Sequence, residues 1–376
     1  MLRVYILCSS IHSANMSGKD VKCGSHLKSI DELTGYPLFP TGTKSLMARF
    51  NTREIWKKYH DKKDAYGLPY KLCVFSGIKN LDSGVGVYAS SHDSYRTFSE
   101  LMDQVIEAYH KHKPGDKHIS DMDANKLKCP LLPPDEAKMI VSTRIRVSRN
   151  LEGYPLAPGV TKEQRDEIMG KVVRACDTFT GDLKGAFYPL EEMAEKTRKK
   201  LIADHFLFKE GDRFLEACGC NRDWPSGRGI FYNAKKTFLV WVNEEDQLRI
   251  ISMQQGSDFS AVFKRLSRAI NHIESVATFS YDDHLGYITS CPTNLGTALR
   301  ASVHIKLPKL SARKDEFQAI ADKFHVQIRG THGEHSKNEG GIYDISNKRR
   351  LGRTEVQLVQ DMYNGVKAMI AREKEL

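Results

Sequence analysis

The stretch Thr237-Phe238-Leu239-Val240-Trp241-Val242-Asn243-Glu244-Glu245-Asp246-Gln247-Leu248-Arg249-Ile250-Ile251-Ser252-Met253 sets two apolar runs on either side of an acidic tip. Two runs of strand length around a short polar turn read as an antiparallel hairpin. Outward from it, Ile140–Val147 and Leu299–Leu307 also have strand character, while Lys162–Phe179 and Phe259–Val276 place apolar residues at helical spacing. The second half of the chain therefore alternates strands with amphipathic helices.

The first half reads differently. From Phe50 to His112 the pattern is helical and broken by turns, with helices expected over Arg53–Lys63 and Tyr95–His110. Between them lies Asp82-Ser83-Gly84-Val85-Gly86-Val87-Tyr88, where two glycines free the backbone to approach another group closely. Lys113–Asp135 is polar and carries Pro114, Pro130, Pro133 and Pro134, the composition of a connection between domains. We expect an N-terminal extension over 1–30, a small helical domain over 31–115, a linker over 116–135 and a catalytic domain over 136–376.

The chain has 376 residues, 40% hydrophobic and 28% charged, enough for one large domain or two ordinary ones. Mean hydropathy is −0.47, which excludes a membrane-embedded, collagen-like or largely disordered chain. The apolar run Val4–Cys8 is too short for a secretory leader. Nothing approaches the roughly 20 apolar residues that cross a bilayer, so no membrane partner is expected. Lys and Arg number 57 against 47 Asp and Glu. The surplus is spread along the chain instead of forming a basic arm, and clusters such as Lys348-Arg349-Arg350 read as solvated faces, so no nucleic-acid partner is expected. Eight dispersed cysteines do not make a disulfide scaffold. Cys218 and Cys220 alone are close neighbours, and one C-x-C is a poor zinc signature.

Strand periodicity puts Arg144 and Arg146 on one face, and Arg300, Ser302, His304 and Lys306 on another. Arg249 follows the acidic tip, and Arg329 precedes Gly330-Thr331-His332-Gly333-Glu334-His335, a glycine-rich flap running to Gly341. Separated arginines suit an anion with many oxygens, because each guanidinium offers a planar fork of donors. Yet Gly42-Thr43-Lys44-Ser45 lacks the Gly-Lys pair of a phosphate loop, and Gly84-x-Gly86 is followed by Ala89 where a third glycine would be needed.

Cys291-Pro292-Thr293-Asn294-Leu295-Gly296-Thr297 resembles the C-P-[ST]-N-x-G-T signature of the phosphagen (ATP:guanidino) kinases. Ser142-Thr143-Arg144-Ile145-Arg146, Asp204-His205-Phe206, Val242-Asn243-Glu244-Glu245-Asp246 and Tyr343-Asp344-Ile345-Ser346-Asn347 are similar to that family too, in its order, over about residues 45–370. Among its members the sequence is most similar to arginine kinases and the related taurocyamine kinases. The resemblance implies an α+β fold, in which a small helical domain precedes a larger one with an antiparallel sheet flanked by helices. It implies reversible transfer of a phosphoryl group from MgATP to a small guanidino substrate, L-arginine first and taurocyamine as the alternative. A soluble cytoplasmic monomer or homodimer is expected.

By the same resemblance, Glu245 and Glu334 would hold two guanidinium nitrogens and align the third, and Cys291 would contact the guanidinium as a thiolate of lowered pKa. Arg144, Arg146, Arg249, Arg300 and Arg329 would hold the nucleotide phosphates, with His205 and His304 beside base and ribose. Glu244 and Asp246 would orient water around Mg2+. The backbone amides of Ser83, Gly84 and Val85, helped by the Tyr88 hydroxyl, would receive the acceptor's carboxylate. A sulfonate could occupy the same nest. Two departures bear on acceptor choice: Tyr70–Gly77 differs from the usual arginine-kinase wording, and His332 stands where many arginine kinases carry Arg. A protein arginine kinase and a non-catalytic polyanion binder stay open as other readings.

Overall fold

Phe238–Val242 and Leu248–Gln255 pair antiparallel, with Val242 opposite Leu248 and Trp241 opposite Arg249. At the tip Asn243 takes φ 58°, a left-handed conformation that Asn tolerates better than most residues. Its amide fixes the turn by donating to the carbonyls of Gly227 (2.7 Å) and Arg165 (3.1 Å). The computed structural model to which this hairpin belongs describes residues 19–330 and 341–376. Residues 1–18 and 331–340 lie outside it, and with them Glu334, His332 and most of the glycine-rich flap.

The hairpin belongs to an eight-stranded sheet. Its order is Val326–Arg329, Ile342–Asn347, Leu299–Lys306, Ile140–Arg149, Leu248–Gln255, Phe238–Val242, Gly229–Asn233 and Gly185–Pro189. Every neighbouring pair is antiparallel. Directly opposed residues share a face, so register sorts the side chains into two populations. Ile145, Val147, Phe238, Val240, Ile250, Val303 and Ile345 face the main core. The helices Phe259–Glu274, Lys162–Asp177 and Glu355–Glu375 cover them.

Phe259–Glu274 shows why such a helix forms. Asp258 caps it by accepting from the Ala261 N–H at 2.9 Å, and Phe259, Val262, Phe263, Leu266, Ile270 and Ile273 are buried at spacings of three and four. Each of these side chains contributes about 1.5–3 kcal/mol by leaving water.

The smaller domain is helical apart from a two-residue strand pair, Val21–Lys22 with Pro37–Leu38. Its core reaches back to Cys23 and Leu27, within the stretch 1–30 that the sequence sets apart, and is completed from the larger domain by Leu156, Leu285, Ile288, Leu295 and Leu351. The proline-bearing connection docks on the last helix. Ser120 Oγ and the Asp121 N–H donate to Glu355, and Tyr363 OH donates to the Pro130 carbonyl.

Two helices differ from expectation. The first ends at Tyr59, because the chain turns back and Lys63 bridges to Pro69. Tyr95–His110 is really His92–Thr97 and Ser99–His110. The break falls at Phe98 (φ −109°, ψ 31°), whose fully buried ring packs edge-on against Tyr59 and Tyr70. Among the described residues no helix is long and apolar enough to cross a membrane.

Candidate active site

The sheet face opposite the main core carries the cations. Arg146 lies opposite Arg300, Arg144 opposite Ser302 and His304 opposite Ser142 on one side. Beyond them His304 pairs with Asp344, which pairs with Arg329. On the other side Ser148 is opposite Arg249, which is opposite Trp241. The guanidinium groups of Arg144 and Arg249 lie 5.7 and 5.4 Å from the Trp241 ring centre, each a cation over an aromatic face.

A cavity of about 530 Å³ is lined by Arg144, His205, Arg300, His304 and Arg329, together with Asp344. Burial, then the charges of Arg249 and Arg300, bring Arg144 down to about 10. Arg146 is likewise held well below the usual arginine value, by burial first and then by Arg249, Arg144 and Arg300. Cations held together out of water repel, and a polyanion placed among them removes that cost.

Acids partly supply the balance. Arg300 donates to Asp344 at 2.8 Å, with His304 3.6 Å from the same carboxylate. Against its own burial, Asp344 is held below the usual carboxylate range by His304 and Arg300. Arg249 bridges Glu244 at 2.8 Å and Glu245 at 2.9 Å. Asp344 had no role assigned from sequence, although it sits in a family-like motif. Its signal is cross-strand register, which a linear reading does not show.

Burial raises Glu245 to about 7; Arg249 lowers it while Asp246 and Glu244 raise it. Asp246 ties the tip to the cysteine segment. Its Oδ1 accepts from Asn150 Nδ2 (2.8 Å) and from the Ser290 N–H (2.9 Å). Its Oδ2 is buried with no hydrogen-bond partner among the described residues. Those residues also contain no group of three His, Cys, Asp or Glu side chains placed to hold a metal.

Cys291 corrects an expectation. Its thiol is pushed up to about 12, by burial first and then by the Glu245 charge, despite a contact with Thr293 Oγ1 at 3.1 Å. Burial and the Glu245 and Asp246 charges disfavour ionisation, so it is a thiol. Its loop is braced from behind: His110 Nε2 lies 2.8 Å from the Pro292 carbonyl, and Arg350 donates to the Thr293 carbonyl at 2.8 Å. Arg350, read from sequence as part of a solvated cluster, is a support for this loop.

The glycine loop joins the site at one end. The Ala89 N–H donates to the Ser290 carbonyl at 2.7 Å, and burial, then the neighbouring Cys291 and Glu245, raise the Tyr88 hydroxyl. At the other end Gly84 and Val85 carbonyls accept from the N–H groups of Leu46 and Met47. The Ser83 N–H already donates to the Asn80 carbonyl at 3.0 Å, so an incoming anion would have to share it. Gly77 makes this seat: a side chain there would meet Gly86 backbone atoms at 2.4 and 2.6 Å. That requirement explains the glycine at the end of the unusual Tyr70–Gly77 segment.

Residues 41–107 match the N-terminal domain of the ATP:guanido phosphotransferases and residues 167–376 their C-terminal catalytic domain. The chain is 55% identical over 335 residues to an arginine kinase of Anthopleura japonica, covering 88% of this chain and 47% of that one. It is 50% identical over 337 residues to the arginine kinase Lit v 2 of Penaeus vannamei, covering 89% and 94%. It thus spans about half of the first relative and nearly all of the second.

Among solved structures, the duplicated taurocyamine kinase of Schistosoma mansoni with bound transition state analog components superposes with a TM-score of 0.82 at 43% identity, over 88% of this chain and 46% of that one. A lombricine kinase gives 0.83 at 37% identity, over 88% and 92%. The chain belongs to the ATP:guanido phosphotransferase family. Its sequence relatives named above within that family are arginine kinases.

Proposed function

We propose that this chain transfers the γ-phosphoryl group of MgATP reversibly to the guanidino nitrogen of L-arginine, buffering ATP in the cytoplasm as a monomer or homodimer. One observation carries the reading: a buried row of mutually repelling arginines ends at Arg249, which joins it to two carboxylates beside Cys291. A polyanion and a cation are thereby drawn to adjacent positions.

The acceptor guanidinium has a pKa above 12, so its nitrogen must lose a proton as it attacks. Glu245, with a pKa of about 7, is matched to accept that proton near neutral pH. Glu334 is proposed as the second carboxylate, fixing the orientation of the attack. Arg144, Arg146, Arg249, Arg300 and Arg329 hold the phosphates, and His205 and His304 flank base and ribose. One opposite charge at 4 Å contributes roughly 4 kcal/mol at an effective dielectric of 20, so several arginines supply a large part of the stabilisation.

Magnesium bound to the nucleotide would supply neutralisation of phosphate charge. Glu244 and the unpaired Asp246 Oδ2 fit contact with its water; the sparse donor set fits a metal held mainly by ATP. Cys291 ionises only when the cationic acceptor sits beside it. Gly84 and Val85 amides, with Tyr88 and a shared Ser83 amide, receive the carboxylate.

Taurocyamine is the second reading, favoured by the Schistosoma neighbour and by the open space beside Gly84, where an added Cβ would meet no atom within 4 Å. The match of residues 41–107 to the family's N-terminal domain weighs against a protein arginine kinase, whose polypeptide substrate the carboxylate clamp would obstruct. An ATP-coupled assay over arginine, taurocyamine, creatine, glycocyamine and lombricine tests the proposal. Arginine should give the highest kcat/KM. Taurocyamine ahead of it would move the assignment, and equal rates on several acceptors would remove the glycine loop as the selective element.

A further inference from the structure

Cys218 and Cys220 are both buried, at 0% and 2% exposure, and both free. Their sulfurs lie 3.2 Å apart. The short helix Arg213–Ala217 ends at Cys218, and Gly219 follows in a left-handed conformation (φ 84°). The Gly219 N–H then donates to the Glu216 carbonyl and the Cys220 N–H to that of Leu215, a helix-terminating turn that needs glycine at this position. The turn brings the two flanking side chains together, which residues two apart do not otherwise do on a helix.

The location gives the pair its consequence. Tyr88 and Ala157 pack on the cluster of Leu215, Cys218 and Cys220. The same helix docks the smaller domain: Ser76 Oγ donates to the Phe214 carbonyl at 2.9 Å, Asn80 Nδ2 to that of Arg213 at 3.4 Å, and Arg213 pairs with Asp82. Cys218 and Cys220 thus sit beneath the ring expected to hold the acceptor and at the joint that seats its loop. Neither has a part in phosphoryl transfer.

We propose that Cys218 and Cys220 are an oxidative modification site, a dithiol that hydrogen peroxide converts to a disulfide, weakening acceptor binding. One thiol attacks the peroxide O–O bond, giving a sulfenic acid and one water. The second sulfur then displaces the hydroxyl as another water, forming the S–S bond, so two thiols supply the two electrons that reduce one peroxide. The contact with Cys218, and then burial, raise the Cys220 thiol and make the first step slow. The second is intramolecular and fast, because the partner is already in contact. Bond formation draws the sulfurs from 3.2 Å to about 2 Å, which withdraws packing from under Tyr88 and pulls on the turn that anchors Ser76 and Asn80.

The site stands apart from the reaction but its effect on affinity rests on the acceptor reading above. The test treats the full chain with peroxide, traps remaining thiols with N-ethylmaleimide under denaturing conditions, and follows three readouts. Peptide mass should show both cysteines unalkylated and two hydrogens lighter. Amide exchange over residues 76–88 should accelerate. The acceptor KM should rise several-fold with the MgATP KM within twofold, all reversed by dithiothreitol. Reduced Cys218→Ser and Cys220→Ser proteins should keep the wild-type acceptor KM and show none of the peroxide-induced changes in the three readouts, which separates this pair from oxidation at Cys291. Both thiols still alkylated after Cys291 has oxidised, or a disulfide with unaltered exchange, would overturn the proposal. If the reduced protein turns over no guanidino acceptor, the functional reading fails while mass and exchange still decide the dithiol.

Discussion

The two faces of the eight-stranded sheet come from the same strands and differ by one residue of register. On one face Ile145, Val147, Val303 and Ile345 are buried against helices. On the other, Arg144, Arg146, Arg300 and His304 stand beside carboxylates. Period-two alternation lets a single strand serve both. The faces should therefore respond differently to substitution: the apolar face in stability with chemistry intact, the cationic face in chemistry with the fold intact.

The largest separation is expected from Glu245→Gln. It removes the proposed proton acceptor and lowers kcat by about 10²–10⁴-fold, while nucleotide affinity stays within a few-fold. Coupled-assay turnover beside an ATP-binding titration checks it, and unchanged turnover would end the Glu245 assignment. Its counterpart is Phe263→Ala beneath the apolar face, fully buried in the main core. Denaturant unfolding should show a loss of about 3–5 kcal/mol, with specific activity of the folded fraction preserved.

Next comes pH. A carboxylate raised to about 7 is mostly ionised at pH 8 and mostly protonated at pH 6. The acceptor kcat/KM, which reports the free enzyme, should fall as pH drops through 7, about tenfold between those values. A profile flat from pH 8 to 6 would mean that Glu245 is not the titrating group. The smallest effect belongs to Asp258→Ala, which removes the cap of the core-covering helix. It should cost about 1 kcal/mol in thermal or denaturant unfolding, leaving kcat unaltered.

The same contrast explains what could be read in the sequence. The hairpin, the alternation in Ile140–Val147 and the helix Phe259–Glu274 are local patterns, and their one-dimensional period carries the fold. Placing Arg144 and Arg146 on one face needed only that period. Asp344 opposite His304 depends on pairing between strands some forty residues apart, which no local pattern encodes. The break at Phe98 is set by its packing on Tyr59 and Tyr70, a tertiary cause that overrides helical spacing.

The motif around Cys291 is legible in the sequence, yet the protonation of its thiol depends on which groups the fold brings near it. Burial and the charges of Glu245 and Asp246 hold it as a thiol. The meeting of Cys218 with Cys220 turns on one left-handed glycine, whose conformation the C-x-C spacing does not disclose.

The central claim is that phosphate placed on the arginine face is handed to a guanidino nitrogen held by the carboxylates. Phosphorus NMR of the protein with MgATP and L-arginine tests it without a coupling enzyme. A new phosphoramidate resonance should grow as the ATP γ signal falls, and added MgADP should regenerate ATP. Release of inorganic phosphate alone, or an unchanged ATP spectrum with every guanidino acceptor supplied, would contradict it.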